Sequence, residues 1–303
     1  MSDAPTTTGT PAATADEVPF IQDEAPFIQD EAPFIEFVGV RKAFGEKVIY
    51  DDLTLSVRRG ETLTILGGSG TGKSVMLKLL IGLVRADSGS IRFDGQELHG
   101  RSEEALLPVR RRISMLFQGG ALFDSLSVGE NVAYPLREHF RLSDAELAER
   151  VKKKLALVGL PGIEHMRPAE LSGGMRKRVA IARAIAADPE VLLYDEPTTG
   201  LDPINTRRIN ELIRSIQRDL HVTSLVVTHD MASAFMVSDR MAMLADRRIR
   251  ATLSRDAFRR SSDPAIYDFV HAMSSTDEAP LDSLSTPEHA ARSDVPQPKG
   301  VSR

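Results

Sequence analysis

The 303-residue sequence contains no cysteine and no tryptophan, and only 5% of it is aromatic. The lack of cysteine excludes disulfides and thiolate-bound zinc, and it is compatible with a reducing compartment. No uninterrupted apolar run approaches the roughly 20 residues that a membrane-spanning helix needs, so anything moved across a bilayer must be carried by other chains. The N-terminus has neither the basic stretch nor the apolar core of a secretory leader, which predicts a protein that is not exported. Strong charge of one sign is missing too: 38 Lys and Arg stand against 43 Asp and Glu. The acid excess sits at the ends. Residues 1–33 carry seven carboxylates (Asp3, Asp16, Glu17, Asp23, Glu24, Asp30 and Glu31) and no cation, residues 276–303 carry five against three, and residues 34–275 are left at about +4. That balance is too mild for a nucleic-acid binder.

What is present is an apolar fraction of 42%, ample for a substantial core. Residues 1–33, rich in Thr, Ala, Pro and acids, are too polar to offset the entropy of folding and are expected to be disordered. Within them PFIQDEA occurs at 19–25 and again at 26–32, and Pro33 to Ile35 begins a third copy. A proline in every repeat breaks any helix the seven-residue spacing would suggest, leaving duplication without function or a short acidic docking motif. From Phe34, alternation through Ile35 and Phe37 and through Leu53, Leu55 and Val57 predicts antiparallel strands with one wet face. Helical periodicity dominates 121–187. Near the end, Asp263 and Pro264 read as a helix start, with Ile266, Phe269, Val270 and Met273 forming one stripe that packs on its own domain or across a homodimer. Residues 276–303 again read as disordered.

The most informative segment is LGGSGTGKS, Leu66 to Ser74, directly after the apolar run Thr62 to Leu66. Gly67, Gly68, Ser69, Gly70, Thr71 and Gly72 form a loop whose backbone N–H groups can converge on phosphate oxygens. The helix that follows, predicted over Ser74 to Val84, presents its positive end, Lys73 can reach β- and γ-phosphates, and Ser74 can ligate Mg²⁺. These features predict a nucleoside triphosphatase. A second segment, VLLYDE at 191–196, reads as a buried parallel strand that delivers two acids to the carboxyl edge of a sheet. Asp195 there suits the Mg²⁺ shell, and Glu196 can orient and deprotonate an attacking water.

The third segment is LSGGM, Leu171 to Met175, followed by RKRVAIARAIAADPE. It resembles the LSGGQ signature of the ATP-binding cassette (ABC) family, with Met175 in place of the usual Gln. Ser172, Gly173 and Gly174 at a helix start offer free N–H groups to an anion, while Met175, Val179, Ala182 and Ala186 share an apolar face. Arg176, Lys177 and Arg178 in the first turn oppose the helix dipole and read as a solvated basic patch. The family's other motifs appear in order across about residues 34–260. Phe44 resembles the aromatic that stacks on adenine, and Gln118, closing the strand Ile113, Met115, Phe117, resembles the glutamine that touches Mg²⁺ or water. Asp202 in TTGLDP resembles the D-loop aspartate and also suits a helix N-cap. His229 in SLVVTHD resembles the switch histidine that reaches the γ-phosphate.

The resemblance implies an α/β fold: a P-loop ATPase domain over 34–260 with a parallel core sheet, an antiparallel β flank and a helical subdomain at about 121–187, then a helix over 261–275. It implies ATP and Mg²⁺ as cofactors, catalytic roles for Lys73, Gln118, Glu196 and His229, and a homodimer that closes each nucleotide between two chains. Integral-membrane permease subunits would be its partners, on the cytoplasmic face of the inner membrane. QGGALFDSLSVGENVAYPLREH, TTGLDPI and DPAIYDFVHAM further resemble the ATPases of Mla/Mce-type phospholipid transporters, which implies an Mce-domain substrate-binding subunit. ATPases of lipoprotein, amino-acid or metal-chelate transporters are the alternative. Neither a second cassette nor a coiled-coil insertion is present, which argues against action on ribosomes or DNA.

Overall fold

The computed structural model describes residues 21–22 and 32–274. In chain order the elements are β1 (Ile21–Gln22), β2 (Ile35–Phe44), β3 (Lys47–Val57), β4 (Thr62–Leu66), α1 (Lys73–Leu80), β5 (Ser88–Phe93), β6 (Gln96–Glu97), α2 (Glu103–Arg112) and β7 (Ile113–Leu116). They continue with α3 (Val128–His139), α4 (Asp144–Leu157), α5 (Gly173–Ala184), β8 (Val191–Asp195), α6 (Pro203–Leu220), β9 (Thr223–Thr228), α7 (Met231–Val237), β10 (Arg240–Ala245), β11 (Arg248–Ser254), α8 (Arg255–Arg259) and α9 (Pro264–Ser274).

The strands form two sheets. A seven-stranded core runs β1-β11-β10-β4-β9-β8-β7, parallel throughout except for the antiparallel β10–β11 pair. An antiparallel flank runs β3-β2-β5-β6. β8 is buried at all five positions because side chains alternate into two cores. Val191 and Leu193 join the cluster beneath the flank and α1, whereas Leu192 and Tyr194 join the cluster beneath α3, α4, α5 and α6. The helices begin where the sequence supplies caps: Ser127 with Glu130 and Ser143 with Glu146 form capping boxes on α3 and α4, and the Asp202 carboxylate accepts from Asn205 N at 2.9 Å with Pro203 at the first helical position.

Where the flank meets the core, Phe34 and Phe93 stack at 4.9 Å between two guanidinium groups, Arg59 3.6 Å from the Phe34 ring and Arg112 4.5 Å from that of Phe93. Both arginines donate to Glu190, so one carboxylate at the entry to β8 ties the β3–β4 turn to the end of α2. α9 packs on its own chain, with Ile266 fully buried and Phe269 and Val270 partly buried against the cluster of Leu66, Met231, Met241 and Phe258. Asp263 caps it by accepting from Ala265 N and Ile266 N.

Several expectations are revised. α1 ends at Leu80 rather than Val84 because Gly82 turns the chain at φ +67. Ile21–Gln22, in the first PFIQDEA copy, forms a parallel strand on β11 where disorder was expected, since the free edge of β11 offers unpaired backbone groups. Residues 1–20, 23–31 and 275–303 and the Met273 side chain lie outside what is described. Among the described residues no helix is long and apolar enough to cross a membrane.

Candidate active site

β4 ends at Leu66 and the chain turns through the glycine loop into α1, so the loop lies at the carboxyl edge of the core sheet, between β10 and β9. Its last glycine is sterically required. Gly72 has φ +106, and a Cβ there would lie 2.5 Å from Ile49 and 3.1 Å from the Tyr50 hydroxyl. That buried hydroxyl donates to the Gly72 carbonyl at 2.5 Å, and burial pushes the phenol well above its ordinary pKa. Lys73 Nζ donates to the carbonyls of Gly67 (2.8 Å) and Gly68 (3.0 Å) and stands 3.9 Å from Glu196 Oε1. Burial lowers its pKa, and Glu196 and Asp195 oppose that shift.

The acids arrive on the next strand but one. Ser74 Oγ donates to Asp195 Oδ1 at 2.6 Å, which places two hard oxygen donors together at the start of α1. Glu196 extends the pairing with β9 through its N–H to Val227 O, yet its φ is +49, a left-handed conformation that L-residues seldom adopt. That turn brings its carboxylate against Thr228 Oγ1 at 3.2 Å, Thr199 Oγ1 at 3.3 Å and His229 Nδ1 at 3.0 Å. The fold therefore gathers Gly67 to Ser74, Asp195, Glu196 and His229 in one place. Beside the loop lies a cleft of about 350 Å³ lined by residues 46–49, which include Glu46 and Lys47, by Gly70 and Thr71, and by Asp246 and Arg247. Phe44, the last residue of β2, is 48% exposed and pairs with Lys47 at the rim of this cleft.

The remaining candidates stand elsewhere. Ser172 caps α5 by accepting from Met175 N at 3.2 Å, and among the described residues no hydrogen bond or ion pair joins Ser172, Gly173 or Gly174 to the glycine loop, Asp195 or Glu196. Gly174 instead packs on the start of α6, where a Cβ would lie 2.7 Å from Asn205 Oδ1. Asp202 is the N-cap of that helix, as its alternative reading had it. Gln118, exposed on the loop after β7, is held through its backbone carbonyl by Lys177 Nζ. The basic patch is solvated only in part: Arg176 is exposed, Arg178 half-buried and Lys177 buried. Lys177 is only 7% exposed, Arg176 donates to Leu171 O, and Arg178 donates to Gly159 O. All three cations satisfy backbone carbonyls, a use that charge alone does not announce. Tyr50 carried no motif, and Thr199 and Thr228, though inside TTGLDP and SLVVTHD, were not singled out.

A strand, glycine loop and helix opposite two carboxylates, with a helical lobe presenting LSGGM, define a nucleotide-binding cassette ATPase. A model of the ABC transporter family matches residues 50–199, and the chain belongs to that family. It is 43% identical over 226 residues to the intermembrane phospholipid transport system ATP-binding protein MlaF of Escherichia coli, covering 75% of this chain and 84% of that one. It is 44% identical over 236 residues to the probable ribonucleotide transport ATP-binding protein mkl of Mycobacterium tuberculosis, matching 78% of this chain but 66% of the relative's length. Among solved structures, the dimeric bacterial ABC transporter cassette MJ0796 superposes with a TM-score of 0.68 at 31% identity, covering 73% of this chain and 98% of that chain. CbiO1 of Clostridium perfringens, part of the transporter complex cbiONQ, gives 0.69 at 26% identity, covering 80% and 100%.

Proposed function

We propose that this chain hydrolyses ATP at two composite sites of a head-to-tail homodimer and so drives a permease that moves phospholipid. The observation that carries the catalytic reading is Glu196, a carboxylate turned by a left-handed backbone toward the glycine loop and held by two threonine hydroxyls and His229. A base so fixed accepts the proton of an attacking water without reorganising. Lys73 exchanges its bonds to Gly67 and Gly68 for β- and γ-phosphate oxygens, with the loop N–H groups around it. The oxygens of Ser74 and Asp195 suit a hard cation, and Mg²⁺ held there with Gln118 would neutralise phosphate charge. Phe44 stacks on adenine at the cleft, and His229, bonded to Glu196, reaches the γ-phosphate.

Support for the dimer comes from the start of α5. Ser172 to Gly174 offer an anion site that their own nucleotide loop does not use, and the similar cassette MJ0796 is dimeric. Closure between two chains, with Asp202 at the seam, excludes water and completes the charge stabilisation only when the chains come together. The phospholipid cargo rests on the likeness to MlaF and on the QGGALFDSLSVGENVAYPLREH segment, and it brings with it an Mce-domain subunit and a place on the cytoplasmic face of the inner membrane, peripheral through the permease. The name of the mycobacterial relatives favours a ribonucleotide cargo instead, and the lipid or nucleotide recovered with the purified transporter separates the two.

Glu196→Gln keeps the shape and the threonine bonds but removes the base. It is expected to bind ATP normally, accumulate the closed dimer and lose at least about 100-fold in turnover, read as phosphate release beside nucleotide binding on one preparation. Wild-type hydrolysis by this variant would take Glu196 out of its role.

A further inference from the structure

We propose that Lys177 and Arg183 are positioning residues for hydrolysis: two cations of α5 that clamp the backbone of the Gln118 loop, so that Gln118 goes where the signature helix goes. The loop makes a tight turn after β7, with Gly120 at φ +75 and Ala121, a residue with a side chain, at φ +48. A left-handed alanine is disfavoured by roughly 1–2 kcal/mol and persists only where its surroundings impose it. Three carbonyls of this turn are taken by α5: Lys177 Nζ donates to Gln118 O, Arg183 Nη2 to Gly120 O at 3.0 Å, and Arg183 Nη1 to Ala121 O at 2.9 Å. Between the two cations Ala180 lies under Gly120, and its small side chain lets the loop come close.

The residue types make the case stronger. Among the described residues neither cation has a carboxylate within ion-pair distance, although burial disfavours the charge on both. Lys177 is buried and Arg183 half-buried; a buried cation without an ion-pair partner is expensive, and a lysine that served only packing would be replaced by methionine at no loss. What the charges supply here is a set of bonds to one loop, beside a longer-range attraction of Lys177 to Asp195 and Glu196 and the place of Arg183 over the Phe123 ring, 5.6 Å from its centroid. α5 is capped by Ser172 and carries the signature glycines, so any motion that seats the signature on a nucleotide moves Gln118 with it. The inference rests on the reading of Gln118 given above.

The test is a double-mutant cycle on the full-length chain. K177M and, separately, R183K are made in the wild-type and Q118A backgrounds, and steady-state turnover is expressed per bound nucleotide, so that misfolded protein drops out. Q118A keeps the carbonyl that Lys177 grips and removes only the side chain it positions. In the wild-type background each variant is expected to lose about tenfold in kcat with KM for ATP changed less than about twofold, and in Q118A the further loss shrinks to within about twofold. R183K keeps its charge and one of two bonds, and it answers the question if K177M does not fold. Equal losses in both backgrounds, or no loss in either, overturn the clamp. Turnover by Q118A alone at the wild-type rate overturns the reading of Gln118 itself.

Discussion

Tyr50 touches no phosphate, yet it sets the shape of the loop that would. Its hydroxyl is the partner of a carbonyl at the turn into α1, and its ring together with Ile49 leaves no space for any side chain at position 72. Tyr50→Phe removes one of the bonds to that carbonyl, which also accepts from Val75 N at 2.6 Å, and is expected to cost about 0.5–1.5 kcal/mol in urea unfolding, with weakened nucleotide binding. Residues of the site were legible in the sequence where spacing carries the chemistry. Gly67 to Ser74, Asp195 and Glu196 are recognisable because a phosphate loop and a buried strand ending in acids leave few arrangements. Tyr50 and Thr228 were not, because a single hydroxyl becomes a supporting group only when a distant segment folds onto it, and Thr199, three residues from Glu196, reaches it only through the left-handed turn at Glu196. Lys177 is the instructive case: three consecutive cations look like a wet surface, and only the position of the loop after β7 shows that one of them is buried beneath it.

Among the elements, strands were the more readable. β4, β8 and β9 are fully buried and appeared as continuous apolar runs. α2 escaped notice because Pro108 interrupts it and just Leu106 and Val109 are buried, although Ser102 followed by Glu103 and Glu104 marks its start. Its far end matters, because Arg112 there bonds Glu190 together with Arg59. The bond from Arg112 holds the Glu190 carboxyl below its ordinary value of 4.5, assisted by Arg59. The folded chain thus binds fewer protons at this site than the unfolded chain, and the stability it contributes is present above about pH 4.5 and fades as the pH falls through the lower folded value. Glu190→Gln is expected to be less stable than the wild type at pH 7, and the gap should close as urea unfolding is repeated toward pH 3. A constant gap would mean that the carboxylate's charge is not what joins these elements.

On the scale of the whole molecule, the helical lobe turns a patch toward solvent that the core does not need. Phe123 and Tyr134 stack at 4.9 Å while remaining 42% and 43% exposed. Val128 is buried, and Leu122 packs against the lobe, so the apolar residues of this segment divide between core and surface. If the patch receives a permease helix, Phe123→Asp keeps the basal ATPase of the isolated chain and loses the stimulation given by the permease in lipid vesicles. Stimulation at the wild-type level would move the contact elsewhere. The two-lobed organisation itself was foreseeable from the change of hydrophobic period along the chain, whereas the order of strands was not, because pairing is decided by segments far apart. β4 illustrates this distance. Its neighbours in the sheet are β9 and β10, whose first paired residues, Ser224 and Arg240, lie far downstream of Thr62 and Leu63. A ribosome makes the glycine loop early and its supports late. During the interval a five-residue apolar strand emerges with no partner while the helical lobe, built from near neighbours in sequence, can already close. The nucleotide site is therefore among the last parts of the protein to exist, and a chain stopped before β9 would carry every glycine of the loop with neither of the strands that flank it.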